Sequence, residues 1–102
     1  MAKGYWIARV DVTNEEGYKA YAAANPAIFK KFGGTFLVRG GKSECPEGST
    51  RARTIVIEFP DYAAARACYD SPDYQENIKR RLPNATADIL IIEGYDGPQP
   101  GD

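Results

Sequence analysis

Two short segments constrain the chain more than anything else in it. Residues 53–59 carry Ile55, Ile57 and Phe59 at one set of alternating positions and Val56 at the other, and residues 87–95 carry Ile89 and Ile91 against Leu90 and Ile92. Successive side chains in a strand point to opposite faces, so strands that are apolar at both sets need cover on both sides. The rest of the chain supplies helices enough for one side only. With 102 residues it has the length of a single domain, so no second domain is expected to cover the other side. The least costly cover is a second copy of the chain, and a homodimer with two sheets face to face is expected.

The order of elements follows from punctuation and periodicity. Residues 5–12 alternate Trp6, Ala8 and Val10 with Tyr5, Ile7 and Arg9 and read as a first strand. Thr13 to Glu16 has the form of a capping box, with the Thr13 hydroxyl as cap. Tyr18, Tyr21, Ala22, Asn25, Ile28, Phe29 and Phe32 then recur at helical spacing, with Pro26 expected to kink or interrupt the helix and Gly33-Gly34 to end it. Residues 35–39 and 53–59 form a hairpin across a glycine-rich connection. A short helix begins after Pro60-Asp61, and Ser71-Pro72 starts another that runs to Pro83, with serine as N-cap and proline at the first turn. Residues 87–95 are the last strand. The order is β-α-β-β-α-β, an α+β ferredoxin-like domain over residues 1–96 with an antiparallel sheet and helices on one face, and residues 97–102 form a flexible tail.

Several chemistries are excluded by composition. The chain has no histidine, which removes the usual general base, the commonest metal ligand and haem ligation by protein imidazole. Two cysteines, Cys45 and Cys68, cannot make a four-thiolate site and are too far apart for a redox pair. No metal site and no cofactor are expected. A net charge of −1 and the absence of phosphate-loop or dinucleotide motifs argue against nucleic acid and nucleotide ligands. No secretory leader or membrane span is visible, so a soluble cytoplasmic protein with two free thiols is expected. The Lys79-Arg80-Arg81 run reads as a solvated helix end that complements the dipole.

A resemblance then narrows the fold. Lys3 to Ala8, Phe36-Leu37-Val38-Arg39-Gly40-Gly41, Val56-Ile57-Glu58-Phe59-Pro60, Cys68-Tyr69 with Ser71-Pro72-Asp73-Tyr74-Gln75, and Glu93-Gly94-Tyr95-Asp96 together resemble the domain-of-unknown-function family 1330. The resemblance implies a dimeric α/β barrel, in a superfamily that also holds cofactor-independent monooxygenases, muconolactone isomerases and, in longer members, haem enzymes. It also implies that a small-molecule pocket lies within each subunit, between sheet and helices. The family has no settled activity, so architecture transfers and chemistry does not.

The candidate site residues are those able to reach such a pocket. Arg39 is a lone charge on an apolar strand; it suits a bidentate clamp on a carboxylate or enolate, or alternatively a structural ion pair with Glu58. A one-residue slip or a bulge at Gly40 would separate the two onto opposite faces. Glu58 sits between Ile57 and Phe59, where desolvation suits it to proton transfer. Tyr69 and Tyr74 are candidate donors to a developing oxyanion, and Trp6, Tyr21, Asn25 and Ser71 are candidate ligand contacts, with Ser71 equally explained as the N-cap. The expected function is binding of a small organic ligand, with cofactor-independent isomerisation or oxygenation of an acidic or enolic substrate. The alternative is a non-catalytic ligand-binding or interaction module whose Arg39 and Glu58 are structural.

Overall fold

The computed structural model describes residues 2–102. In chain order it runs β1 (Gly4–Val12), α1 (Glu15–Lys31), β2 (Thr35–Arg39), β3 (Arg53–Phe59), α2 (Tyr62–Asp70), α3 (Pro72–Arg81) and β4 (Ala85–Glu93). The strands form one antiparallel sheet in the order β2-β3-β1-β4. This is the ferredoxin-like α+β arrangement that the element order predicts. The last strand begins two residues earlier than expected and ends before Tyr95.

Register sorts the side chains into rows. On the helix-covered face, Phe36, Ile57, Trp6 and Ile91 stand side by side, and the next row is Arg39, Ile55, Ala8 and Ile89. Trp6, Ile57 and Phe59 are almost wholly buried here beside Phe29 and Tyr74. The Trp6 indole N–H donates to the Ala65 carbonyl at 2.8 Å, so the largest core side chain also ties β1 to α2. On the opposite face Val38, Val56, Ile7 and Leu90 form one apolar row across all four strands, flanked by a row with Glu58, Tyr5 and Ile92 and one with Thr54, Arg9 and Asp88. No helix among the described residues lies over this face: Leu90 is 53% and Ile92 44% exposed. Arg51 reaches back from the long β2–β3 connection to Asp88 (2.8 Å) and Asp11 (3.0 Å), while the Ala52 N–H donates to Asp11.

Three local expectations are corrected. Asn14, not Thr13, caps α1, its side chain accepting from the Gly17 N–H. The Thr13 and Asn14 N–H groups both donate to the Asn84 carbonyl, so the chain is held extended past Thr13 and the helix starts one residue later. Pro26 does not break α1, which continues through it to Lys31. An interior proline costs about 3 kcal/mol, but Ile28 and Phe29 beyond it are buried, each stabilising by about 1.5–3 kcal/mol. Packing on the far side of the proline therefore outweighs the defect. The Lys79-Arg80-Arg81 run is not uniformly solvated, since Arg81 is buried.

Candidate functional site

A slot lies between the sheet and α1, and its position follows from side-chain size. Ala8 is the smallest member of its row, between Ile55 and Ile89, and Ala22 is similarly small on α1. The two alanines leave an apolar space of about 60 Å³, with Trp6, Phe29, Phe36 and Ile57 among its walls. It adjoins a wider vestibule of about 340 Å³, where Tyr18, Ala22, Arg39 and Ile55 are shared walls and Gly40 and Arg53 complete the lining.

Arg39 reaches this space because of one extra residue. Thr35 pairs with Glu58 and Phe36 with Ile57, but the register then shifts, so that Val38 pairs with Val56 and Arg39 with Ile55. Without the bulge Arg39 would stand opposite Thr54, on the same face as Glu58. With it, Arg39 faces α1 and stacks over the Phe36 ring at 4.4 Å, with no ion-pair partner among the described residues. The Arg39–Glu58 pair considered from sequence is therefore absent. Glu58 lies on the other face, half-buried, accepting a hydrogen bond from the Tyr5 hydroxyl at 3.0 Å. That bond, together with burial and the carboxylate charge, raises the Tyr5 phenol above its ordinary value. Arg53, the second cation at the vestibule, is paired with Glu15 and lies over the Tyr18 ring.

The polar end of the slot is built by α1 and α3. Tyr21 and Asn25, one helical turn apart on α1, both line it. The Tyr21 and Tyr74 hydroxyls are 2.6 Å apart, and the Arg81 guanidinium donates to Tyr74 at 3.2 Å and more weakly to Tyr21 at 3.5 Å. Burial drives the Tyr74 phenol far above its ordinary value, and the neighbouring Tyr21 adds to the shift, so it keeps its proton. Burial opposes the charge of Arg81, but Tyr74 and Tyr21 outweigh it and hold the guanidinium cationic. Asn77 donates to the Asn25 side-chain oxygen at 2.8 Å and to the Tyr21 carbonyl, and accepts from Arg80.

Of the residues singled out from sequence, Arg39, Trp6, Tyr21 and Asn25 line the slot, and Tyr74 stands directly behind Tyr21. Glu58 does not join them. Tyr69 packs edge-on against Trp6 outside the slot. Ser71 caps α3, accepting from the Tyr74 N–H and donating to the Cys68 carbonyl. The residue that sequence reasoning misses is Arg81. Its signal is present: Tyr74, Asn77, Ile78 and Arg81 follow the spacing of one buried helix face. Cys45 and Cys68 are free, one exposed and one buried.

The profile of the family described as Domain of unknown function (DUF1330) matches residues 3–95. The chain belongs to this family. Among solved structures, a protein of unknown function from Rhodopseudomonas palustris, RPA0582, superposes with a TM-score of 0.75 at 17% identity, covering 94% of this chain and 85% of that one. SnoaB, a cofactor-independent oxygenase from Streptomyces nogalater, gives 0.63 at 15% identity over 97% and 96% of the two chains. A dimeric ferredoxin-like protein of unknown function from Thermobifida fusca gives 0.56 at 12% identity over 90% and 89%. At these identities the likeness is one of fold. No curated protein matches the sequence. No helix among the described residues is long and apolar enough to cross a membrane.

Proposed function

We propose that this DUF1330 chain is a homodimer that binds a small acidic or enolic organic molecule in the slot of each subunit, and that it acts there without a cofactor, in isomerisation or oxygenation of an activated carbon acid. The observation that carries the reading is Arg39, a guanidinium without a carboxylate partner among the described residues, at the mouth of an apolar slot. Such a group suits a ligand carboxylate or enolate, whose planar body then enters the slot. The proposal leaves Glu58 out of the chemistry of this slot, because its carboxylate faces the other side of the sheet.

The dimer is supported by the apolar row Val38–Val56–Ile7–Leu90 and its polar flanks, a hydrophobic centre with a hydrophilic rim. The rim carries both Arg9 and Asp88, which gives a twofold-related copy complementary charges to meet. Covering the exposed halves of Leu90 and Ile92 contributes about 1 kcal/mol per side chain on each subunit before association costs. Sedimentation of Leu90→Asp at micromolar concentration is expected to give a monomer where the unmodified chain gives a dimer. A monomer for both removes the dimer from the proposal.

A second reading has its own observation. The enclosed part of the slot is only about 60 Å³ and no carboxylate lines it, which favours a ligand-binding or interaction module without turnover. Calorimetric titration with small aromatic and enolic carboxylic acids tests both. Arg39→Gln is expected to weaken binding by about tenfold or more, the loss of a hydrogen bond to a charged group. Equal affinity in the variant overturns the Arg39 anchor, and binding without conversion of any ligand selects the module.

A further inference from the structure

We infer that Tyr21 and Asn25 form a donor pair for a single oxyanion at the inner end of the slot, with Tyr74 and Arg81 as positioning residues, and that the ligand is therefore a planar enol or phenol bound through its ionised oxygen. The inference rests on the small-molecule reading above and specifies which ligand atom the closed end receives.

Proton counting carries the argument. Two hydroxyls 2.6 Å apart share one hydrogen bond, and the accepting hydroxyl must send its own proton elsewhere. Tyr74 is fully buried and is not part of the slot lining, and its oxygen already receives Arg81. A Tyr74 proton turned away from Tyr21 would meet no acceptor among the described residues. The satisfied arrangement has Tyr74 donating to Tyr21, which leaves the Tyr21 proton for the slot that Tyr21 lines. Asn25 is oriented in the same way. Its carbonyl oxygen is occupied by Asn77, so its amide N–H groups are the unused side, and they make no hydrogen bond among the described residues. Two donors one turn apart on α1 thus converge on the slot, the arrangement that stabilises negative charge on oxygen.

Arg81 supplies the sign of the charge. It is 8% exposed, lines the slot, and has no carboxylate within ion-pair distance among the described residues. A buried cation left without a counter-ion favours an anion brought in from outside. By donating to both phenolic oxygens it also makes Tyr21 a stronger donor, since polarised hydrogen bonds reinforce one another.

The test uses 4-nitrophenol, whose absorbance distinguishes the phenolate from the neutral phenol, at a pH where the free compound is half ionised. Bound to the unmodified chain it is expected to saturate and to absorb as the phenolate. Tyr21→Phe should weaken phenolate binding by about tenfold or more, as for loss of one hydrogen bond to a charged oxygen. Tyr74→Phe removes no lining group, yet should weaken binding about threefold and move the bound spectrum toward the neutral phenol; a purely structural Tyr74 would leave that spectrum unchanged. Arg81→Met should move it the same way. Far-ultraviolet circular dichroism melts of each variant establish that it is folded. For any that is not, the unmodified chain's NMR spectrum at low temperature tests the same bond: a slowly exchanging hydroxyl proton assigned to Tyr74 supports donation from Tyr74 to Tyr21, and its assignment to Tyr21, or its absence, overturns it. Phenolate binding indifferent to Tyr21→Phe overturns the donor pair. Carboxylic acids that bind through Arg39 while 4-nitrophenol does not bind also overturn it, and leave the proposed function standing. Failure of both probe classes overturns the two together.

Discussion

Replacing Arg81 by methionine separates a guanidinium retained for binding from one retained for folding. The substitution keeps much of the side chain's length and removes its charge. What is lost is the 3.2 Å donor to Tyr74, a weaker one to Tyr21 at 3.5 Å, a stacking contact 5.5 Å from the Tyr21 ring, and a cation in the last turn of α3. A hydrogen bond from a charged donor contributes about 1.5–3 kcal/mol, a cation over an aromatic face about 0.5–2, and a cation at a helix C-terminus about 0.3–1. Against these stands the desolvation of a guanidinium with no acid beside it, several kcal/mol for a buried ion. Tyr21 and Tyr74 keep their mutual bond at 2.6 Å, so neither hydroxyl is orphaned. The opposing contributions are of similar size, and the expected outcome is a net change within about 1 kcal/mol, less than about 8 °C in Tm for a domain of this size. Urea and thermal unfolding followed by circular dichroism check this, at one fixed protein concentration because an associating chain is stabilised by mass action. A loss of about 3–5 kcal/mol, the cost of stranding half of a buried ion pair, would refute the reasoning and make Arg81 a structural residue.

Two further outcomes follow from titratable groups. The Asp11 carboxyl is held below its ordinary value by the Ala52 N–H and by Arg51, with burial opposing; its contribution to stability is thus present above the unfolded carboxylate range and lost as pH falls through the lowered native value. Asp11→Asn should therefore narrow the gap between urea midpoints measured at pH 7 and at about pH 3, and an unchanged gap would remove Asp11 from the acid sensitivity. Burial pushes the Cys68 thiol up to about 12, whereas Cys45 is exposed. Ellman's reagent at pH 8 should accordingly titrate one thiol in the native protein and two in denaturant, and rapid reaction of both in the native state would contradict the burial of Cys68.

The parts of the fold legible in the sequence are those set by local pattern. Thr35–Arg39 and Arg53–Phe59 are recoverable to the residue because β-branched and aromatic side chains end at glycines and a proline. What escapes depends on contacts distant in sequence. The cap on α1 moves to Asn14 because Asn84, about seventy residues away, holds the two N–H groups before the helix. Pro26 stays inside α1 because its cost is met by packing that no local rule registers. The candidate site is legible in its residue types and illegible in its sidedness. Trp6, Tyr21, Asn25 and Arg39 are recognisable as pocket residues, but the irregularity that parts Arg39 from Glu58 lies between Phe36 and Val38, before Arg39, and not at the Gly40 that composition marks for a bulge. Arg81 is misread because three adjacent cations outweigh a helical spacing that points inward.

That irregularity makes β2 behave like a reading frame. Pairing the same residues without it, Leu37 opposite Val56 and Arg39 opposite Thr54, would transpose Arg39 from the slot side of the sheet to the far side, whereas excising Leu37 would remove the bulge and leave Arg39 opposite Ile55. The accommodation of one surplus residue, rather than the chemistry of the strand, thus determines which side of the sheet carries the guanidinium.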